Sequence, residues 1–121
     1  MAKRLKIGVI GLGRIGFNFH CRRLHEHKRF ELVAAADPLT ERLDEAREAF
    51  GCRGFEDPDE LLSMRGLNVA VIASPTHLHK VQALAAFRQR LHVVMEKPMA
   101  MDLREARSIA VSYTHLTLPT N

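Results

Sequence analysis

The chain has little cysteine, with Cys21 and Cys52 its two thiols in 121 residues. They are too few and too far apart for a disulfide framework or a zinc site. Each is expected to be a small, partly buried residue of a reduced compartment. The seven histidines are dispersed, which argues against a metal centre. No apolar run approaches the roughly 18 residues that a membrane helix needs, so no membrane association is expected. The basic start, Lys3, Arg4 and Lys6, leads into an apolar run broken by glycines and Arg14, with no small-residue cleavage site. No signal peptide is therefore expected, and the expected location is cytoplasmic. There is no internal repeat and no low-complexity segment. A strong charge of one sign is also missing: the net charge is +4, and acids and bases interleave, as between Glu41 and Glu48. The one basic cluster, Arg22, Arg23, Lys28 and Arg29, reads as a solvated face, so no nucleic-acid partner is expected.

What is present suits a single globular domain: 46% hydrophobic and 26% charged residues, in a chain long enough to bury its own core. Short apolar runs alternate with amphipathic stretches, the pattern of a parallel sheet covered by helices. Strands are predicted over about 6–10, 31–36, 69–73 and 92–96, with a weak edge strand near Phe55. A first helix is predicted from about Arg14 to His25, with Ile15, Phe19 and Leu24 facing inward. A second covers Thr40–Phe50 and stops at Gly51. Asp57, Pro58 and Glu60 have the order of a capped start with a capping box, leading a short helix to about Met64 that Gly66 closes. Thr76 is expected to cap a helix running to about Arg90, its inner face made by Leu78, Val81, Leu84 and Phe87. Asp102 and Glu105 form another capping box ahead of Leu103, Ala106, Ile109 and Ala110. The fold class is therefore α/β, a doubly wound parallel sheet of Rossmann type.

Between the first strand and the first helix lies Gly11-Leu12-Gly13-Arg14-Ile15-Gly16. Gly11 permits a sharp turn off the strand, Gly13 removes a side chain where a diphosphate approaches the backbone, and Gly16 lets the helix lie close on the sheet. Free N–H groups at the helix start face the same place. About twenty residues beyond Gly16, Asp37 ends the second apolar run, where a dinucleotide-binding unit places an acid for the ribose hydroxyls. Ser74–His79 follow the fourth strand and Glu96-Lys97-Pro98 the fifth. Four loops thus converge on the carboxyl edge of the sheet, where such folds carry ligands.

Four segments together carry a family resemblance: Ile7 to Gly16; Ala35-Ala36-Asp37-Pro38; Ala73-Ser74-Pro75-Thr76-His77-Leu78-His79; and Glu96-Lys97-Pro98-Met99-Ala100. In this order and spacing, over about residues 4–110, the chain resembles the Gfo/Idh/MocA oxidoreductases, which include glucose-fructose oxidoreductase and inositol dehydrogenase. The resemblance implies an NAD(P)-dependent oxidoreductase acting on a small sugar, cyclitol or related hydroxyl compound. It implies that Lys97 is catalytic, beside the nicotinamide and the reacting oxygen, and that Glu96 lies near the nicotinamide ribose. Pro75 and His79 resemble the family's loop along the cofactor. The cofactor-binding set is expected to be Gly11, Gly13, Arg14, Ile15, Gly16, Asp37, Arg42, Ser74, Pro75, Thr76, His79, Glu96 and Lys97. Asp37 repels a 2′-phosphate, so NAD is expected over NADP, although Arg42 could reach such a phosphate.

Family members continue into a second α/β domain bearing an acid–base histidine in an Asp-x-x-x-His pattern, and nothing in this chain matches it. The expected organisation is a cofactor-binding domain over 1–110 and an atypical, Thr-rich tail over 111–121 whose composition suggests a foreign origin. The fragment alone is expected to be inactive in turnover, and the full-length form to be a homo-oligomer. Competing readings are a non-catalytic dinucleotide-binding module, a glyceraldehyde-phosphate dehydrogenase and a methyltransferase. The dehydrogenase needs a nucleophilic cysteine where this chain has none, and the methyltransferase leaves Glu96-Lys97-Pro98 unexplained.

Overall fold

A computed structural model describes residues 4–114 of the chain. Five strands, β1 (Leu5–Ile10), β2 (Phe30–Ala36), β3 (Arg53–Phe55), β4 (Val69–Ile72) and β5 (His92–Met95), form one parallel sheet in the order β3-β2-β1-β4-β5. Strand order reverses between β1 and β4, which is where a doubly wound sheet opens a crevice. The strands are short and β-branched or Ala-rich because both faces of the central ones are covered: β4 is buried at all four positions.

Each face has its own core. On one, Ile7, Val9, Leu32 and Val71 pack under a π-helical segment (Ile15–Cys21) that continues into α1 (Arg22–Glu26), and under α2 (Thr40–Phe50). On the other, Ile10, Ala36, Ala70 and Ile72 pack under α3 (Pro58–Leu62), α4 (His79–Arg88) and α5 (Leu103–Thr114). Helix α2 ends at Gly51 in the left-handed conformation, φ 71°. The reading of 111–121 as a separate tail falls partly on the last turn of α5, and residues 115–121 lie outside the described ones.

Four expectations change. The inner face of the first helix is not Ile15 and Phe19, which are 49% and 47% exposed, but Gly16 and Cys21. Those two are five residues apart, one turn of a π-helix rather than of an α-helix, so the wider winding rotates the buried stripe. In α4 the inward residues are His79, Gln82, Ala83, Ala86 and Phe87, while Leu78 and Val81 face outward. Two polar side chains enter that face because each is hydrogen-bonded there, which removes the cost of burying them. The α4 approach begins as a 3-10 turn (Thr76–Leu78) capped by no side chain, so Thr76 is not a cap. Of the two capping boxes, the Asp102 side chain accepts from the Glu105 amide at 2.9 Å and Glu105 accepts from the Met101 amide at 2.9 Å. At α3, Asp57 accepts instead from the Asp59 amide, a tighter turn.

Candidate functional site

The carboxyl ends of the strands are held level by main-chain bonds that continue the ladders past the strands themselves. The Gly11 amide donates to Ala36 O at 2.8 Å, Ala73 to Ile10 O at 2.8 Å, Asp37 to Phe55 O at 3.1 Å and Glu96 to Ile72 O at 2.9 Å. The loops that follow β1, β2, β4 and β5 therefore leave from one rim.

Off β1, Gly11 turns with φ +98°, a conformation L side chains avoid. A methyl group there would sit 2.6 Å from the Ser74 amide nitrogen, so the turn also lies against the β4 loop. At Gly16 a Cβ would come within 1.7 Å of Gly11 O: turn and helix touch through their backbones. At Gly13 nothing lies within 4 Å of where a Cβ would be. That open space is what a diphosphate cradle requires, and the start of the π-helical segment faces it. Arg14 and Ile15 are exposed beside it.

Asp37 is 4% exposed and is bonded through both carboxylate oxygens. One carboxylate oxygen accepts from the Leu12 amide at 2.8 Å, the other from the Leu39 amide at 2.9 Å, and Arg42 lies 3.4 Å from the first. Charge-assisted bonds of this kind are the stronger class. The carboxylate thereby ties the glycine turn to the end of β2. Each oxygen retains acceptor capacity for a hydroxyl.

Two hollows flank this knot. A crevice of about 500 Å³ is lined by Gly11, Asp37, Arg42, Ser74 and Pro75, together with Leu39, Glu56, Asp59, His77, Leu78, Val81 and Gln82. A shallower one of about 280 Å³ is lined by Leu12, Gly13, Arg14, Phe17, Asn18, Arg42 and Glu45. Arg42 borders both. Thr76 is outside the lining of the crevice, its place taken by His77 and Leu78. Glu96 and Lys97 line a third hollow, of about 410 Å³, bounded by Phe87, Val93, Met95, Met99, Ile109 and Ala110. Lys97 is exposed.

His79 is not a lining residue. It is 1% exposed and spends both ring nitrogens on main-chain carbonyls: Nε2 lies 2.8 Å from Ser74 O, and Nδ1 lies 3.0 Å from Pro98 O and 3.3 Å from Met99 O. It bridges the β4 loop to the loop carrying Lys97. The Ser74 hydroxyl donates to Gln82 Oε1, fixing the same loop to α4.

Two residues of the rim escaped the sequence reading. Gln82 is one; the available signal was a second polar residue three positions after His79 on a face otherwise made by Ala83, Ala86 and Phe87. His20 is the other. Its Nε2 is buried without a hydrogen-bond partner and stands 3.5 Å from Glu96 Oε1, within ion-pair range if the ring is protonated. It is carried there on the π-helical segment, whose winding an α-helical count does not anticipate.

The model of the GFO_IDH_MocA oxidoreductase family, NAD-binding Rossmann fold, matches residues 5–115. The chain is 40% identical over 102 residues to glucose-6-phosphate 3-dehydrogenase of Bacillus subtilis, covering 84% of this chain and 28% of that one. It is 33% identical over 102 residues to myo-inositol 2-dehydrogenase of Thermotoga maritima, covering 84% and 30%. The crystal structure of the WlbA dehydrogenase from Bordetella pertussis, in complex with NADH and UDP-GlcNAcA, superposes with a TM-score of 0.86 at 30% identity, covering 94% of this chain and 33% of that one. The chain thus spans less than a third of the length of these curated relatives. Among the described residues no helix is long and apolar enough to cross a membrane, and no group of three potential metal ligands occurs.

Proposed function

The chain belongs to the Gfo/Idh/MocA oxidoreductase family, with its NAD-binding Rossmann fold, and from that premise we propose that it is the cofactor-binding part of an enzyme moving hydride between a nicotinamide and a CH–OH group of a sugar, cyclitol or related compound. The observation that carries this reading is the unobstructed Gly13 backbone beside a buried Asp37 at the β1–β4 switch point. When bound, the nicotinamide supplies or takes up the hydride; the protein's own residues bind, orient and polarise.

Gly13 leaves room for the diphosphate, Gly11 and Gly16 let turn and helix close on each other beneath it, and Arg14 and Ile15 stand at its flank. Asp37 takes the adenosine ribose hydroxyls, and its charge disfavours a 2′-phosphate, so NAD is preferred over NADP. Arg42, held at 3.4 Å by Asp37, is already partly neutralised as a phosphate partner. Ser74, Pro75 and Thr76 belong to the loop along the dinucleotide. Glu96 stands near the nicotinamide ribose, and Lys97 donates a hydrogen bond to the substrate oxygen on which negative charge develops. His79 acts behind the loop and not on the cofactor. The relatives' printed substrates, glucose 6-phosphate and myo-inositol, set the class of hydroxyl compound to try first.

Titration calorimetry with NAD and NADP tests this. NAD is expected to bind about tenfold or more tightly than NADP, a difference of roughly 1.4 kcal/mol. Heat from neither cofactor with folded protein would overturn the proposal, and tighter NADP binding would overturn the role given to Asp37.

A further inference from the structure

The bridge made by His79 carries a chemistry that its burial alone does not require. Both ring nitrogens face oxygens that can only accept: Ser74 O at 2.8 Å from Nε2, and Pro98 O and Met99 O at 3.0 and 3.3 Å from Nδ1. A neutral imidazole has one N–H. It would serve one side and turn a lone pair toward a carbonyl on the other, at hydrogen-bonding distance and out of contact with water. An imidazolium donates in both directions. The charged groups on the surrounding elements are His77 and Lys80 beside it in the chain, Glu96 and Lys97 at the tip of β5, and Asp102 and Glu105 at the start of α5. Among the described residues, none of them forms an ion pair with the ring, so carbonyl dipoles are what face its charge.

We infer that His79 is a positioning residue that donates through both ring nitrogens as an imidazolium and so sets where the Lys97–Pro98 segment sits relative to the β4 loop. The two ends of the bridge differ. The Ser74 end is also tied to α4 through Gln82. The far end, Pro98 and Met99, is joined to the rest of the rim by the His79 bonds, with the Glu96 amide on Ile72 O as the preceding anchor. Losing the bridge therefore releases the lysine segment first and leaves the glycine turn and Asp37 where they are. The inference rests on the proposed reading of Lys97 as the donor at the redox end of the cofactor.

Two measurements on the whole chain test it. Nitrogen-15 spectra of histidine-labelled protein at pH 7 are expected to contain one ring with both nitrogens protonated and in slow exchange, a signal missing from His79→Gln. If the His79 ring instead has one pyridine-type nitrogen, the double donation is overturned, and this arm needs no variant beyond the assignment. Binding of NADH and of ADP-ribose, which lacks the nicotinamide, then separates positioning from mere support of the fold. In His79→Gln, NADH affinity is expected to fall about tenfold while ADP-ribose affinity stays within about twofold. An equal loss for both ligands, or no loss for NADH, overturns the positioning role. If the variant does not fold, the same comparison is made on His79→Asn, where an equal loss for both ligands, or no loss for NADH, overturns the role, and the ring spectrum of the unaltered chain still decides the double donation. Failure of the unaltered chain to bind NADH at all would remove the proposed function, while the ring's protonation would still be read from its spectrum.

Discussion

At the β1 end of the rim the chain makes its site by leaving side chains out, whereas at the β4 and β5 tips it holds its loops with polar side chains. Gly11 and Gly16 meet through bare backbone, and a Cβ at Gly16 would overlap Gly11 O at 1.7 Å. Across the rim, Ser74, Gln82 and His79 fix their loops through hydrogen bonds that depend on which atoms carry protons. Steric construction of the first kind has no adjustable part and tolerates no substitution. Hydrogen-bonded construction of the second kind can be loosened one bond at a time. A diphosphate needs a fixed cradle, and a reacting centre needs donors whose strength can be set by their surroundings, so the division follows the chemistry each side is proposed to serve.

The largest test strikes the first region. Gly16→Ala is expected to destabilise the chain by about 3 kcal/mol or more, because the overlap is with backbone that cannot rotate away. Urea denaturation reads this directly, and a loss below about 1 kcal/mol would mean that turn and helix separate easily and that the contrast is false. Gly11→Ala combines a crowded contact with a positive φ and should fall in the same range, about 2–3 kcal/mol.

Asp37→Asn comes next, since Asp37 is the one polar side chain on which the first region leans. The amide keeps one acceptor and turns an NH₂ toward either the Leu12 or the Leu39 amide. Loss of a buried charge-assisted bond should cost about 2 kcal/mol at pH 7 in the same denaturation experiment. A neutral result would show that the carboxylate is kept for its ligand alone.

How much of this contrast could be read from the residues follows from what each part depends on. The β-branched runs, the Asp57-Pro58 start and the Gly51 stop act locally, and the sheet and α2 lie where those signals point. The glycine turn was legible because its requirement is steric and leaves glycines in the chain. The phase of the first helix was not: Ile15 and Phe19 have α-helical spacing, and only packing of Gly16 and Cys21 against the sheet selects the π winding. Nor was the inner face of α4, where His79 and Gln82 lie buried while Val81 is 66% exposed. A hydrophobic pattern assigns polar residues to solvent, and these two defy it because partners from distant segments, at residues 74 and 98, come to meet them.

Cys21, on the buried face of the π-helical segment, gives an effect that is smaller per pH unit. Burial, with Cys52 nearby, pushes its thiol from the ordinary 9.0 up to about 12. The folded chain keeps that proton where the unfolded chain gives it up, so stability is unaffected below pH 9 and is lost as pH rises from 9 toward 12. Other groups titrate there too, and the difference between the wild type and Cys21→Ala isolates the thiol. The wild type should lose up to about 1.4 kcal/mol more than the variant for each pH unit above 9. Equal slopes would mean that the space under the helix admits water, and that the first region is not the dry, rigid one.

The smallest effect is expected where the second region is most exposed. Lys97→Met keeps most of the side-chain stem and removes the donor, at a position open to solvent. The loops on either side are held by His79 and by the Glu96 amide on Ile72 O, and none of those bonds uses the lysine head group. Stability should therefore change by no more than about 0.5 kcal/mol. A thermal or urea unfolding curve that moved by more than about 1 kcal/mol would make the lysine part of the scaffold. The separation between residues that hold the rim and residues that act at it would then fail at the position where the proposed chemistry needs it most.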